Sequence, residues 1–308
     1  MEEGVTLPEW VRNYKERCMQ VRKVVIPVAG WGTRSLPATK NVPKEILPVF
    51  RKPSIQYIVE EAIASGLSDV VFVNNQNKRI IEDHFDYNLA LEQLLERRGQ
   101  KELLDEVRKV AEMANIIVVR QKEQLGLGHA VLCAKEVVKD EPFAVMVGDD
   151  LMFNRDPGIN QLLDVFKNER MPVVGVMDVP RDKVSNYGII DAEEFAPGLY
   201  RIRGVKEKPS VESAPSRLAL VGRYVLTPEI FAHLEGLAPD QTGEIQLTDA
   251  LQSLARQNRI LAVKLRGQRF DVGDWVDYLT ANIYFALQDE DLRYDLIDRL
   301  RELIPPAR

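Results

Sequence analysis

The run Lys-Val-Val-Ile-Pro-Val at 23–28 is dense in β-branched residues and opens directly into Ala29-Gly30. An apolar run of this length without polar alternation predicts a strand buried on both faces, leading into a glycine-rich turn. Beyond it Ile55, Ile58, Val59, Ala62 and Ile63 recur at helical spacing, and Gly66 stands where that helix would stop. A second strand is predicted at Asp69–Val73, followed by a charged helix near Lys78–Phe85. Strand, helix, strand is the rhythm of a parallel α/β sheet.

Residues 88–113 keep a helical pattern, with Leu91, Leu94, Leu95, Leu103, Leu104, Val107 and Val110 set among dense charges, and Gly99 predicts a break. Apolar runs at Ile116–Val119, Phe143–Val147 and Val173–Val176 predict buried strands, with a helix at Gly128–Ala134 between the first two. After Pro180 the strand-like pieces shorten: Gly188–Asp191, Arg201–Lys206 and Leu218–Val225 predict a mixed or antiparallel part. Helices at Val276–Leu287 and Leu292–Leu303 close the chain. The expected fold class is α/β: one Rossmann-like domain over 1–308, with a mixed, mainly parallel sheet flanked by helices, a small β part and a helical C-terminus.

Composition narrows the function more than the fold. The 308 residues carry 41 Lys plus Arg against 47 Asp plus Glu, a net charge of −6. That balance argues against a binder of polymeric nucleic acid, which needs a basic excess, but leaves room for a local basic pocket. No run approaches the roughly 18–20 apolar residues of a membrane span. Met1–Gln20 mixes acidic and basic residues without an apolar core, so no signal peptide is expected. Cys18 and Cys133 lie far apart and outside any Cys-x-x-Cys pattern, which suits a reducing, cytoplasmic setting rather than a disulfide or zinc framework. His84, His129 and His233 are equally scattered, and Cys133 fits a small core residue better than a nucleophile.

The richest segment is Ala29-Gly30-Trp31-Gly32-Thr33-Arg34-Ser35, placed directly after the first strand. Glycines let a backbone turn tightly and bring amide N–H groups to an anion, at the strand ends where open α/β sheets bind ligands. A Rossmann dinucleotide loop would carry a third glycine where Ser35 stands, and a Walker loop is absent. Beyond the glycines the chain turns cationic, with Arg34, Lys40 and Lys44. Amides, a guanidinium fork and point charges together suit a triphosphate. Gly-x-Gly alone equally describes a tight surface turn with solvated charges.

The segments Gly30-Trp31-Gly32-Thr33-Arg34, Leu36-Pro37-Ala38-Thr39-Lys40 and Pro43-Lys44-Glu45-Ile46-Leu47-Pro48 resemble the signature of the sugar-1-phosphate nucleotidylyltransferases. The resemblance continues in order through Glu82–Asp86, Arg120-Gln121, Gly126-Leu127-Gly128-His129-Ala130, Gly148-Asp149-Asp150 and Tyr187-Gly188. It extends to Glu207-Lys208-Pro209, Val221–Tyr224, Glu244–Asp249 and Asp271-x-Gly273. It spans about residues 22–290, and the Ala-Thr-Lys and Gly-Leu-Gly-His-Ala forms look like the uridylyl branch.

The resemblance implies that UTP and glucose 1-phosphate are joined into UDP-glucose and pyrophosphate. It places Arg34 and Lys44 on the triphosphate, and Lys208 on the sugar's phosphate, as the catalytic set. Ala29, Gly30, Gly32, Thr33, Gln121 and Gly126 are expected at the nucleotide, with the Gln121 amide facing the uracil edge. Gly188, Glu207 and Gly222 are expected at the sugar, and Asp149 and Asp271 would hold Mg²⁺, an ion that prefers hard oxygen ligands. The halves would divide as 22–180 for nucleotide and 181–288 for sugar phosphate, with 289–308 a helical extension. Self-association into a homo-oligomer is expected, with Leu292, Leu296 and Leu300 as contact candidates.

Singly, each of these residues has an ordinary structural explanation: a turn-forming Asp, a solvated Glu-Lys pair, a hydrogen-bonding buried Gln. Their joint order supports the functional one. Three positions depart from the family pattern. Trp275 stands for the usual Lys and Asp277 for the usual Gly, so a cation is lost and an anion gained beside Asp271. Trp31 replaces a small aliphatic residue in the first loop. These departures leave a second expectation open, a catalytically weak or inactive paralogue that binds sugar nucleotide or modulates an authentic enzyme by hetero-oligomerising.

Overall fold

The structure, a computed structural model, describes residues 20–303; Cys18 and nearly all of the N-terminal segment read for a signal peptide lie outside the described residues. Along the chain the strands are β1 (Lys23–Pro27), β2 (Pro48–Val49), β3 (Lys52–Pro53), β4 (Asp69–Asn74), β5 (Asn115–Arg120), β6 (Phe143–Met146) and β7 (Asp150–Phe153). They continue as β8 (Val173–Asp178), β9 (Gly188–Ala196), β10 (Leu199–Glu207), β11 (Leu218–Leu226), β12 (Leu261–Lys264) and β13 (Gln268–Asp271). One sheet takes nine of them in the order β5-β4-β1-β6-β11-β8-β12-β10-β9, while β7–β13 and β2–β3 form two-stranded ribbons.

The first half is parallel, as its strand–helix–strand rhythm predicts: β1 pairs with β4 and β6, and β4 with β5. The second half is mixed. β8 and β12 are parallel, but β11 enters antiparallel between β6 and β8, and β10 runs antiparallel to β12 and β9. β11 thus joins the two halves into one continuous sheet.

Alternation along β1 explains the three-layer packing. Val24 and Ile26 face one core, where Ile55, Ile58, Val59 and Ala62 of helix Ser54–Ala64 meet Ile159, Leu162 and Phe166 of helix Gly158–Glu169. Val25 faces the other, with Val131 of helix Gly126–Cys133, Phe231 of helix Glu229–Glu235 and Leu251 of helix Leu247–Arg256. Burying both faces is what a sheet of near-continuous Val and Ile requires. On the first face Glu61 reaches the buried Arg223 of β11.

Gly66 follows the first helix at φ 80°, a left-handed turn that terminates it, and Gly99 at φ 67° separates helix Leu89–Arg97 from helix Lys101–Glu112. The expected helix at Gly128–Ala134 begins two residues earlier, at Gly126 itself. The strand expected over Phe143–Val147 ends at Met146, so Asp149 sits in the turn before β7 rather than at a strand end. The carboxyl ends of β1, β4 and β6 all open on the same edge of the sheet, and the candidate site lies there.

Candidate active site

The loop after β1 is held by its carbonyls. Asn75, just past β4, donates its side-chain amide to Ala29 O at 2.7 Å. Gly32 takes φ 66° and opens a 3₁₀ turn at Thr33–Ser35; its carbonyl accepts from Ser35 N at 3.1 Å and from Thr39 Oγ1 at 2.8 Å. A second 3₁₀ turn, Lys44–Ile46, presents Lys44 on one side and buries Glu45 on the other. Glu45 receives both hydrogen bonds of the buried Lys78 ammonium, at 3.1 and 2.8 Å, so the base of this turn is pinned from beneath.

Arg34 and Lys44 converge on Asp149. Lys44 Nζ donates to Asp149 Oδ2, Arg34 Nη2 lies 3.5 Å from the same oxygen, and Arg34 Nη1 lies 3.8 Å from Asp271 Oδ2. Burial alone would push the Asp149 carboxyl up, but Lys44 and Arg34 hold it below its ordinary value. Asp271 goes the other way: burial and the neighbouring Asp149 and Asp150 carboxylates raise it. Burial also disfavours the Lys44 ammonium, yet Asp149 and Glu45 keep its pKa above the usual lysine value.

Gly273 makes this meeting possible. A Cβ there would lie 2.6 Å from Arg34 Nη2, 2.9 Å from Asp149 Oδ2 and 3.0 Å from Asp271 Oδ1. Among the described residues no cluster of three or more His, Cys, Asp or Glu side chains is set to hold a metal by itself. Two crowded carboxylates facing a cavity are nevertheless a suitable donor set for a hard divalent cation that completes its shell with water and substrate phosphate.

A cavity of about 840 Å³ joins this corner to the second half of the chain, where it is lined by Gly188, Glu207, Lys208 and Gly222. Glu207 Oε2 accepts from Thr248 Oγ1 at 3.0 Å, and Lys208 Nζ lies 3.4 Å from Glu207 Oε1. The Lys208 backbone is left-handed, at φ 40°, and its N–H donates to Tyr187 O at 3.0 Å. Gly222 is needed for an internal reason: a Cβ would stand 2.7 Å from Val147 Cβ. Its N–H donates to Asp150 Oδ2 at 2.9 Å and its carbonyl accepts from Val147 N at 2.8 Å, so both backbone groups are engaged within the protein.

The remaining expected residues lie beside the cavity rather than on its lining. Gln121 is buried and donates from Nε2 to Gly126 O at 3.2 Å, with His129 Nδ1 at 3.0 Å. Gly126 has φ 88°, and Glu244 Cβ would be 2.8 Å from a Cβ added there. The next residue, Leu127, lines the cavity together with Glu244, so the group formed by Gln121, Gly126 and His129 abuts it. Ala29, Gly30, Gly32 and Thr33 form the loop behind Arg34 and do not themselves line the cavity.

Among the departures, Trp31 is 60% and Trp275 44% exposed, and neither lines the cavity. Trp275 instead meets the Tyr278 ring edge-on at 5.8 Å. Asp277 does line it, and its Oδ2 accepts the Asp271 backbone N–H at 3.2 Å. The added anion is thus tied to the backbone of the carboxylate beside it. The sequence pattern gives no sign of Lys183, Asn186 or Arg269 as lining residues, and Tyr187 and Thr248 stand in segments of the resemblance without a role of their own. Lys183 and Asn186 lie in the 3₁₀ helix Arg181–Asn186, where no periodicity marks a facing side.

The sequence profile of the family described as nucleotidyl transferase matches residues 23–287. The chain is 47% identical over 285 residues to the UTP–glucose-1-phosphate uridylyltransferase of Bacillus subtilis, covering 92% of this chain and 98% of that one. It is 45% identical over 284 residues to the enzyme of the same name from Staphylococcus epidermidis, covering 92% and 99%. Among solved structures it resembles a UDP-glucose pyrophosphorylase complexed with UDP-glucose, with TM-score 0.81 and 39% identity over 88% of this chain and all of the other. A UTP-bound UGPase from Acinetobacter baumannii aligns with TM-score 0.85 and 38% identity over 92% of this chain and all of that one.

Proposed function

The chain belongs to the nucleotidyl transferase family, and we propose that it makes UDP-glucose and pyrophosphate from UTP and glucose 1-phosphate. The single observation that carries this is the cavity, which is lined both by Arg34, Lys44, Asp149 and Asp271 and by Gly188, Glu207, Lys208 and Gly222. A triphosphate wall facing a sugar-phosphate wall is what this transfer needs.

The sugar phosphate oxygen attacks the α-phosphorus of UTP; the new P–O bond forms as the bond to the β-phosphate oxygen breaks and pyrophosphate leaves. The nucleophile is a phosphate monoester with a second pKa near 6, so it arrives already deprotonated and no strong general base is required. The obstacle is charge. Two unit charges at about 4 Å repel by about 4 kcal/mol at an effective dielectric of 20, so cations must meet both anions. Arg34 and Lys44 serve the triphosphate and the departing pyrophosphate, and Lys208 serves the sugar phosphate. Glu207 accepts from sugar hydroxyls with one oxygen while Thr248 fixes the other. Holding both substrates in one cavity supplies the orientation.

Asp149 and Asp271 would hold Mg²⁺, which when bound would neutralise phosphate charge and withdraw electron density from phosphorus. Gln121 and Gly126 set the uracil end, consistent with preference for UTP, and residues 22–180 and 181–288 are the nucleotide and sugar-phosphate halves.

No described helix is long and apolar enough to cross a membrane. We place the protein in the cytoplasm, a reducing setting that suits two distant cysteines outside any Cys-x-x-Cys pattern. Helix Arg293–Leu303 buries none of its residues, which supports a homo-oligomer; a monomer mass in sedimentation across micromolar concentrations would count against it.

The experiment is a pyrophosphate-release assay of the purified protein with UTP, glucose 1-phosphate and Mg²⁺, repeated with dTTP and CTP. Turnover with UTP preferred supports the proposal. Absence of turnover with every triphosphate would favour the non-catalytic paralogue instead.

A further inference from the structure

Arg269 lines the cavity and forms its ion pair with Asp150, while its charge also acts through space on Asp271, two residues along the same strand. Its Nε donates to Asp150 Oδ1 at 2.7 Å, its Nη1 donates to the Tyr187 hydroxyl at 3.3 Å, and its guanidinium carbon stands 5.2 Å from the centre of the Tyr187 ring. The other oxygen of Asp150 accepts the Gly222 N–H at 2.9 Å. Asp150 therefore has both oxygens engaged inside the protein, although it adjoins Asp149, and this separates its work from that of the metal pair. Both side chains are mostly buried, at 14% and 8% exposure, yet Asp150, Arg269, Tyr187 and Gly222 all line the cavity.

The chain path gives this contact its reach. In the β7–β13 ribbon Asp150 pairs with Asp271, and Arg269 lies two residues before Asp271 on β13. Gly222 falls in the register break of β11 between Leu220 and Tyr224, where its N–H takes a side-chain acceptor instead of a strand partner. The Tyr187 carbonyl accepts from Lys208 N at 3.0 Å. One guanidinium thus connects the ribbon that carries Asp271 and adjoins Asp149 to the segments that carry Gly188, Lys208 and Gly222. A planar fork can meet a carboxylate and a phenol together, whereas an ammonium on a flexible stem cannot hold both in one geometry.

We propose that Arg269, through Asp150 and Tyr187, is a positioning residue that sets the sugar-phosphate wall in register with the metal wall. It rests on UDP-glucose synthesis as the activity and adds what fixes the spacing between the two substrates.

The test uses Tyr187→Phe, Arg269→Lys and Arg269→Gln in the full chain, with steady-state kinetics in both substrates and calorimetric titration with UTP. Tyr187→Phe removes one oxygen from the surface of the cavity and is the variant least able to disturb folding. Removing a hydrogen bond to a charged group is worth about tenfold or more. The expected result is a KM for glucose 1-phosphate raised about tenfold in Tyr187→Phe and Arg269→Lys, and further in Arg269→Gln, with UTP affinity within about twofold of wild type. The double variant Tyr187→Phe/Arg269→Lys should be little worse than either single one, since both remove the same link. In pyrophosphorolysis the same variants should raise the KM for UDP-glucose. Wild-type KM for glucose 1-phosphate in all three variants, or equal losses for UTP and glucose 1-phosphate, would overturn the positioning role. A wild-type protein that fails on glucose 1-phosphate would overturn the activity itself and this inference with it, so the two failures are told apart by the wild-type control.

Discussion

The Arg223 guanidinium meets the Glu61 carboxylate side-on, with Nε 2.9 Å from Oε1 and Nη2 2.6 Å from Oε2, and the arginine side chain is wholly buried. Glu61 Oε1 also accepts the Ile159 N–H at 2.9 Å, so one carboxylate ties helix Ser54–Ala64, β11 and helix Gly158–Glu169 together. Glu61→Gln keeps the shape and leaves the buried cation without its counter-charge. The expected loss is about 3–5 kcal/mol of unfolding free energy, read by urea denaturation. Glu61→Leu/Arg223→Met, which removes both charges, should recover much of that loss. A single variant as stable as wild type would show that the ion pair contributes nothing.

Asp149→Asn removes the charge of a proposed metal ligand while keeping the side chain's volume. Turnover is expected to fall about 10²–10³-fold, the size of effect seen when one transition-state electrostatic partner is removed. The far-ultraviolet circular dichroism spectrum should not change. Mg²⁺ titration of the pyrophosphate-release rate checks it, together with wild-type protein in excess chelator, which should be inactive. Full activity in either case would remove Asp149 from the metal.

Lys208 distinguishes substrate binding from catalysis. The left-handed backbone already carries a Cβ cost in Lys208, which Lys208→Ala leaves unchanged and Lys208→Gly relieves, so both delete the cation without adding strain. Both should raise the KM for glucose 1-phosphate and lower kcat, with UTP affinity nearly unchanged; Arg34→Ala should instead weaken UTP. Calorimetric titration with UTP showing equal losses in the Lys208 and Arg34 variants would place Lys208 on the wrong substrate.

His84 gives a pH dependence of stability away from the active site. Its ring packs edge-on against Phe85 with centroids 4.9 Å apart, and its Nε2 stands 3.0 Å from Gln56 Oε1. Burial lowers its pKa below the ordinary histidine value of about 6.5. The unfolded chain therefore binds the proton more readily, and stability is full above about pH 6.5 and falls as pH drops through the folded pKa. Thermal midpoints between about pH 6.5 and 5.5 should decline in wild type and decline less in His84→Gln. Equal slopes would exclude His84 as a contributor.

Much of the parallel half is legible in the sequence because each element announces itself locally: β1 holds Val-Val-Ile and β4 Val-Val-Phe-Val, and Gly66 and Gly99 take the left-handed conformations that end helices. The β7–β13 ribbon is not, because Asp-Leu-Met-Phe and Gln-Arg-Phe-Asp are four residues each and carry no pattern that points from one to the other. Of the site, Arg34, Lys44, Asp149, Asp271, Glu207 and Lys208 are recognisable as residue types in motif order, and the cavity gathers them. What local pattern cannot reveal is which backbone groups are already engaged: Gly222 lines the cavity, and a Cβ there would also meet Val147 at 2.7 Å. Arg269 likewise acquires meaning only from its contact with Tyr187, in a distant segment.

The same ribbon fixes when the site comes into being. Asp150 pairs with Asp271 across most of the second half of the chain, and Asp271 emerges from a ribosome only after residues 151–270 have been made. Loop closure over so long a separation is slow compared with the local pairing of helices and hairpins, and domains fold as they are synthesised from the N-terminus. A nascent chain can therefore build the β5-β4-β1-β6 platform and present Arg34, Lys44 and Asp149 long before the second carboxylate exists. Truncated or stalled chains would lack the paired carboxylates, and catalytic competence becomes one of the last properties the protein acquires during its synthesis.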